Sequence, residues 1–300
     1  MSFVQINEHC FYYHSSVNIG YVTQGTDGVL IDAGIDRASV KKVLKELRKR
    51  GFPLTHLFIT HAHADHYGGA AYVQDNYQVH TVAPIYEEAI LRNPSLEPLY
   101  LFGGNDPLPE LQNKFLQGPA VRVDQVVDEG EVFFGSIKAN TLLLPGHSYH
   151  QLALMVNGIL FAADSYFSVE TLRKHKIPYV TDVSKTIESL RRLLTIPCEG
   201  AVPGHGIFEE DPIENIKGNI TYHQELQEWL HGYIKENEEA SHESIVTSMC
   251  EHFDVQPGNL SQWLLYRTAV TAYLMGLKKA DLIEDRITHH KWVFRIKSRV

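Results

Sequence analysis

The stretch ITHAHADHYGG, residues 59–69, places His61, His63, Asp65 and His66 within six positions, directly behind an all-apolar run. Imidazole nitrogen and carboxylate oxygen are the usual donors for zinc and its first-row neighbours. With 17 histidines in 300 residues, three at fixed positions arise by chance at roughly 2 in 10,000 starting points, so the cluster carries information. Residues two apart do not face each other on a helix; the spacing predicts a loop leaving a strand, where alternate side chains converge. Two more histidines have matching settings: LLLPGHS gives His147 and AVPGHG gives His205, each behind an apolar run and a Pro-Gly turn. ILFAAD ends in Asp164, just past a buried-strand pattern, where α/β sheets place ligand-binding groups. Taken singly, each of these three residues suits a capping or turn role as well.

The surrounding pattern supplies strand ends for these loops. The first sixty residues read as strand, strand, helix, strand: NIGYVTQGTDGVLIDAG (18–34) is a hairpin signature, and residues 36–51 carry Val40, Val43, Leu44 and Leu47 at helical spacing between an Asp36 cap and a Gly51 stop. HLFIT (56–60) is apolar throughout, as a central strand requires. A helix from about Gly69, a strand near Val79 and a helix from about Pro84 follow. Residues 93–120 hold five of the 13 prolines and read as an inserted loop or lid with one short helix near Glu110–Leu116, hinged at Gly103-Gly104. Strands resume at VRVDQVV, VFFG and IKANTLLL; LALMVNGILFAAD turns at Asn157-Gly158, and DVSKTIESLRRLL is a helix. From about Pro212 three helical patterns lead into LIEDRITHHKWVFRI, which can pair as a two-stranded wing.

Together these residues resemble the metallo-β-lactamase-fold hydrolase superfamily over nearly all of 1–210. The matching elements are the hairpin ending LIDAG, the HxHxDH motif with Gly68-Gly69 behind it, PGHS, the aspartate after LFAA, and the final PGHG. The resemblance implies an α/β fold, the αββα metallo-β-lactamase sandwich, over residues 1–211. It also implies a small helical, winged-helix-like domain over 212–300. Carried over by position, His61, His63 and His147 would hold one metal ion, Asp65, His66 and His205 another, and Asp164 would bridge them. The full set is similar to that of the glyoxalase II and ribonuclease Z branches, and an aspartate at 164 disfavours the β-lactamases with cysteine there. The chain departs from many relatives at Tyr149-His150, where they continue with Pro-Gly; His150 is either a substrate contact or a surface residue. Asp32, at the end of VLID, either caps the following turn or orients a ligand.

The chemistry implied is hydrolysis by a hydroxide shared between two divalent ions, most simply zinc, with iron or manganese also suited, while Asp65 and Asp164 balance charge and orient the nucleophile. The expected substrate is a small activated acyl compound: a thioester, lactone or ester. Three alternatives stay open: an endonuclease or phosphodiesterase of the same fold, a mononuclear-iron sulfur dioxygenase, and a ligand-binding regulator without turnover. A formal charge of −9 argues against nucleic acid as partner of the whole chain. The tail is divided: residues 260–300 carry eight Lys/Arg against three Asp/Glu, but 213–259 carry nine Asp/Glu against two Lys/Arg. Packing or homodimerisation is therefore expected of it ahead of nucleic-acid binding. Cys10, Cys198 and Cys250 form no CxxC pair and read as inert thiols. With neither an 18-residue apolar run nor a basic-then-apolar start, no membrane association and a cytoplasmic location are expected.

Overall fold

The computed structural model describes residues 2–297, so Met1 and the last three residues of the expected C-terminal domain lie outside the description. Seven strands form the first sheet in chain order: β1 (Ser2–Gln5), β2 (Cys10–His14), β3 (Ile19–Gln24), β4 (Asp27–Ile31), β5 (His56–Phe58), β6 (His80–Pro84) and β7 (Gln125–Val127). The second sheet runs β12 (Gly200–Pro203), β11 (Ile159–Ala163), β10 (Leu152–Val156), β9 (Ile137–Leu143), β8 (Gly130–Phe134). Strands β1 to β4 pair antiparallel, and β4 to β7 parallel. Parallel pairing needs crossovers, and helix α1 (Arg37–Arg50) supplies the first of them. Asp36 caps α1 by accepting from the Ser39 amide, and Gly51 closes it at φ 68°.

The sheets pack face to face. Tyr12, Val22, Ile31 and Phe58 of the first meet Phe134, Leu154 and Phe161 of the second in one buried cluster. Outside the first sheet lie α1 and α3 (Ala70–Asn76), with the short α2 (Ala64–Tyr67) between strand and helix. Outside the second lies α7 (Val183–Leu193), burying Leu190 and Leu193 on Leu160 and Ala162. Helix, sheet, sheet, helix is the αββα order expected. Strands β1 and β2 escaped the sequence reading; Cys10 to Tyr13 of β2 are buried on both faces and show no alternation.

The insertion at 93–120 also differs from expectation. After α4 (Glu87–Arg92), its helix is α5 (Leu96–Leu101), and only a single 3₁₀ turn, Pro109–Leu111, forms near the expected position. Leu101, Leu111 and Leu116 are buried with Leu264, so the segment docks on the C-terminal region and does not hang free. Gly103 and Gly104 both take positive φ, at 72° and 81°, as a tight reversal requires.

The C-terminal region comprises α8 (Ile213–Glu236), α9 (His242–His252) and α10 (Leu260–Lys279); the hairpin of β14 (Ile283–Thr288) and β15 (Lys291–Ile296) is joined by the two-residue β13 (Ala240–Ser241). Its core is continuous with α6 (Val169–His175) and α7: Leu172, Val183 and Ile187 belong to one cluster with Leu226, Leu230, Tyr273 and Leu274. A Cβ at Gly276 would stand 2.3 Å from Val183 Cγ1, so only glycine lets α10 approach α7 this closely. No described helix is long and apolar enough to cross a membrane.

His223 sits 3% exposed between α8 and α10, with Nδ1 2.7 Å from the Tyr273 hydroxyl. Burial pulls this imidazole down to about 4 from an ordinary 6.5. The unfolded chain therefore takes up the proton first, and the stability contribution is intact above pH 6.5 and lost as pH falls toward 4. His223→Gln is expected to be less stable than the parent at pH 7.5, with the gap narrowing by about 2 kcal/mol at pH 5. Denaturant titrations at the two pH values measure this; an unchanged gap would show that His223 is not held neutral.

Candidate metal centre

Every motif histidine and aspartate leaves a strand end on the same side of the sandwich. His61 and His63 follow β5, His147 follows β9, Asp164 follows β11 and His205 follows β12. The expected loop runs only as far as His63. Asp65 and His66 lie on α2, a single helical turn, because adjacent residues there must point to different partners.

The seven side chains converge. His63 Nδ1 lies 3.1 Å from His61 Nε2 and 2.9 Å from His147 Nε2. Asp164 Oδ1 is 3.3 Å from His66 Nε2, and its Oδ2 is 3.3 Å from His147 Nε2 and 3.4 Å from His205 Nε2. His205 Nε2 is also 3.5 Å from Asp65 Oδ2. Three overlapping groups hold their donor atoms within 4.8 Å: His61/His63/His147, His61/His66/Asp164 and Asp65/His66/His205. His61 and His66 are fully buried and Asp164 is 5% exposed.

Partners behind the donors fix their orientation. Asp32, at φ 63°, accepts from the Thr60 amide and hydroxyl at 2.9 Å each and faces His66 Nδ1 at 2.7 Å. It thus ties down the strand end at Thr60 and orients His66, the second of the two roles the sequence left open; none of these bonds reaches the turn that follows it. His147 Nδ1 faces the Tyr179 carbonyl at 3.2 Å, and His205 Nδ1 the Ser16 carbonyl at 2.7 Å. Such contacts leave each Nε2 free to coordinate. Ala163, at φ 49°, carries left-handed strain of order 1 kcal/mol just before Asp164.

Two anchoring residues were missed. Glu87, 3% exposed, accepts from the Ala62 amide (2.9 Å), the Ser148 hydroxyl (2.8 Å) and the His150 amide (2.9 Å), joining the first histidine loop to the PGHS loop. In sequence it is one of two glutamates in a helix's first turn, where acids are common for dipole reasons alone. Asn18 donates to the Pro203 and Gly206 carbonyls at 2.9 Å each and so holds the His205 loop. His150 itself faces Asp128 at 2.9 Å instead of lining the cavity.

Electrostatics divides the cluster. Burial lowers His63 to about 4, His147 to about 3 and His61 well below 6.5, keeping three lone pairs available. Burial would raise the two carboxyls, but the facing histidines outweigh it, bringing Asp65 to about 2 and Asp164 well below the carboxylate range. For His66 and His205 burial is likewise overcome: Asp164, with Asp32 and Asp65, raises His66 well above 6.5, and Asp164 with Asp65 raises His205 to about 10. His66 Nε2 and Asp164 Oδ1 are buried without a properly aligned hydrogen-bond partner. Orphaned donors, neutral imidazoles and ionised carboxylates together fit divalent cations, whose binding replaces the protons on His66 and His205.

Comparison with known proteins agrees with this geometry. Residues 13–205 match the family described as the metallo-beta-lactamase superfamily. A lactamase-like protein of Pestalotiopsis microspora is 25% identical over 205 residues, covering 68% of this chain and 52% of the relative. A hydroxyacylglutathione hydrolase of Rhodopseudomonas palustris is 29% identical over 182 residues, 60% of this chain and 58% of that protein. The chain thus spans about half the length of the curated relatives it matches. In fold it is similar to a beta-lactamase domain protein from Burkholderia ambifaria, with TM-score 0.77 at 17% identity, covering 98% of this chain and 93% of that one. A metallo-beta-lactamase family protein from Thermus thermophilus gives 0.69 at 17% identity, over 93% of each.

A Cβ on Gly204 would stand 2.0 Å from Asp164 Oδ1 and 3.0 Å from His66 Cε1. Gly204→Ala is therefore expected to lose bound metal although all seven donors remain, and Asp32→Asn to weaken metal affinity roughly 10- to 100-fold. Elemental analysis and chelator competition measure both effects; parental metal content in both variants would contradict the role given to these contacts.

Proposed function

The chain belongs to the metallo-β-lactamase superfamily, and on that premise we propose that it is a metal-dependent hydrolase of a small activated acyl substrate, a thioester, lactone or ester. The observation that carries this reading is the convergence of metal donors on the wall of one cavity of about 280 Å³, lined by His63, Asp65, His147, Asp164 and His205. His61, His63 and His147 would hold one divalent ion and Asp65, His66 and His205 a second, with Asp164 shared; zinc is the first choice, and iron or manganese suits the same donors. Bound there, such ions supply a Lewis acid and lower the pKa of water toward neutrality.

The chain's own residues do the rest. Asp164, ionised and enclosed by three imidazoles, fixes the charge around which the site is built. Asp65 stays ionised on the cavity wall, with Oδ2 beside His205, and can orient a water by accepting its hydrogen bond. Leu116 and Phe167, both buried, line the cavity and limit the access of bulk water to the reacting group. A name that denotes hydrolysis of hydroxyacylglutathione, borne by several relatives, supports the acyl class.

We read residues 212–300 as a winged-helix-like unit that supports the catalytic region. Lys278 pairs with Asp285, Lys279 with Asp182, Arg295 with Glu284 and Lys297 with Asp281, each within 2.5 Å. Cations already neutralised by carboxylates make a poor phosphate footprint, which favours packing over nucleic-acid binding.

Purified protein is expected to bind two metals per chain and to hydrolyse acyl thioesters, esters or lactones in a metal-dependent manner, with phosphodiesters inert. Asp164→Ala should lose metal and reduce kcat/KM by at least 10³-fold, the order seen when a central electrostatic group is removed. Full activity with both ions retained in that variant would overturn the shared-ligand role.

A further inference from the structure

The cavity at the metal donors shares one wall residue, His63, with a second. Beyond His63 lies a space of about 350 Å³ walled by Tyr86, Ile90, Tyr100 and Tyr149. The first is walled by Phe115, Leu116, Phe167, Pro178 and Leu265. His63 borders both, so a molecule held at the metal donors lies next to two largely apolar compartments; a third space, with Gln256 and Gln262 in its wall, adjoins the first at His175, Tyr179 and Leu265. Leu265 comes from α10, and Phe115 and Leu116 from the insertion, so three separate parts of the chain build the first compartment.

Neither compartment is lined by a lysine or arginine among the described residues. Lys114, beside the Phe115 ring, is tied to Asp36 at 3.2 Å, and Lys185 lies against the Tyr149 ring, 5.2 Å from its centroid. A carboxylate or phosphate carried away from the reacting centre would lose its hydration in either compartment and find no cation there.

Besides the metal donors Asp65 and Asp164, one carboxyl group faces the first compartment. Glu97, on α5 of the insertion, lines it, is 3% exposed, and its Oε2 has no hydrogen-bond partner. A buried polar atom without a partner is destabilising. The same atom is satisfied if a ligand reaches it. Burial, helped by Asp65 and Glu87, raises this carboxyl well above its ordinary range, so it can donate as well as accept.

Resting on the acyl-hydrolase reading, we propose that the substrate is uncharged away from its reacting carbonyl, has an apolar acyl arm, and bears on that arm a hydroxyl or amide that hydrogen-bonds to Glu97 Oε2. Glu97 is then the specificity determinant of the site. A site built to pair a polar group discriminates strongly against the analogue lacking it.

The test uses calorimetric binding to the metal-loaded protein with four probes of one length: octanamide, octanamide hydroxylated at carbon 3, octanamide hydroxylated at carbon 5, and the anionic monoamide of suberic acid. Octanamide is expected to bind at least tenfold more tightly than the anion. One hydroxylated probe should gain a further five- to tenfold. That gain should vanish in Glu97→Leu and persist in part in Glu97→Gln, which keeps size and hydrogen-bonding capacity should the leucine variant misfold. Equal or tighter binding of the anion, or a hydroxyl gain unaltered in Glu97→Gln and Glu97→Leu, would overturn the proposal. Turnover of the matching thioesters is measured in parallel: preserved binding preferences without turnover would fault the hydrolase reading alone, and turnover without preference would fault this proposal alone.

Discussion

An ionised carboxylate removed from water costs several kcal/mol unless opposite charge or hydrogen bonds replace its hydration. Asp164 is such a group, 5% exposed at the end of β11 and faced by His66, His147 and His205. The rest of the architecture can be understood as the means of keeping those imidazoles around it. Each arrives on a separate segment that begins at a strand end, His66 on the helical turn behind β5, His147 behind β9 and His205 behind β12. The two sheets must therefore be clamped face to face before the site exists, which the Phe58, Phe134 and Phe161 layer between them does.

Strand ends alone would leave the loops too loose to hold buried charge, and the anchoring contacts are correspondingly dense. Asp32 bridges the Thr60 strand end to His66, Glu87 bridges the first and second histidine loops, and Asn18 bridges β3 to the His205 loop. Directly beside the centre, Asp32 and Ala163 both take left-handed backbone conformations. Strain at such positions persists because the surrounding contacts overdetermine the backbone. The C-terminal helices extend the same logic outward, sharing a core with α6 and α7 and contributing Leu265 to the cavity wall.

Much of this was legible in the sequence for physical reasons. Period-3.6 spacing in α1 and α7, the Asn157-Gly158 turn and the apolar run before His61 each report a local constraint that one window of residues satisfies alone. His61, His63, Asp65 and His66 stood out because imidazole clusters are rare, whereas His147, Asp164 and His205 joined them through the resemblance to the family. Glu87, Asn18 and Glu97 were not, since each matters only through a partner distant in sequence, and a glutamate at a helix start or an asparagine in a turn is unremarkable where it stands. Strand β2 was hidden for a related reason: residues buried on both faces carry no periodic signal.

The account turns on whether divalent ions occupy the positions that these donors define. Anomalous diffraction from crystals of the metal-loaded chain, collected on either side of the metal's absorption edge, tests it most directly. Two peaks about 3.5–4 Å apart are expected, one among His61, His63 and His147 and the other among Asp65, His66 and His205, with Asp164 between them. A single peak, or density at any other set of residues, would contradict it.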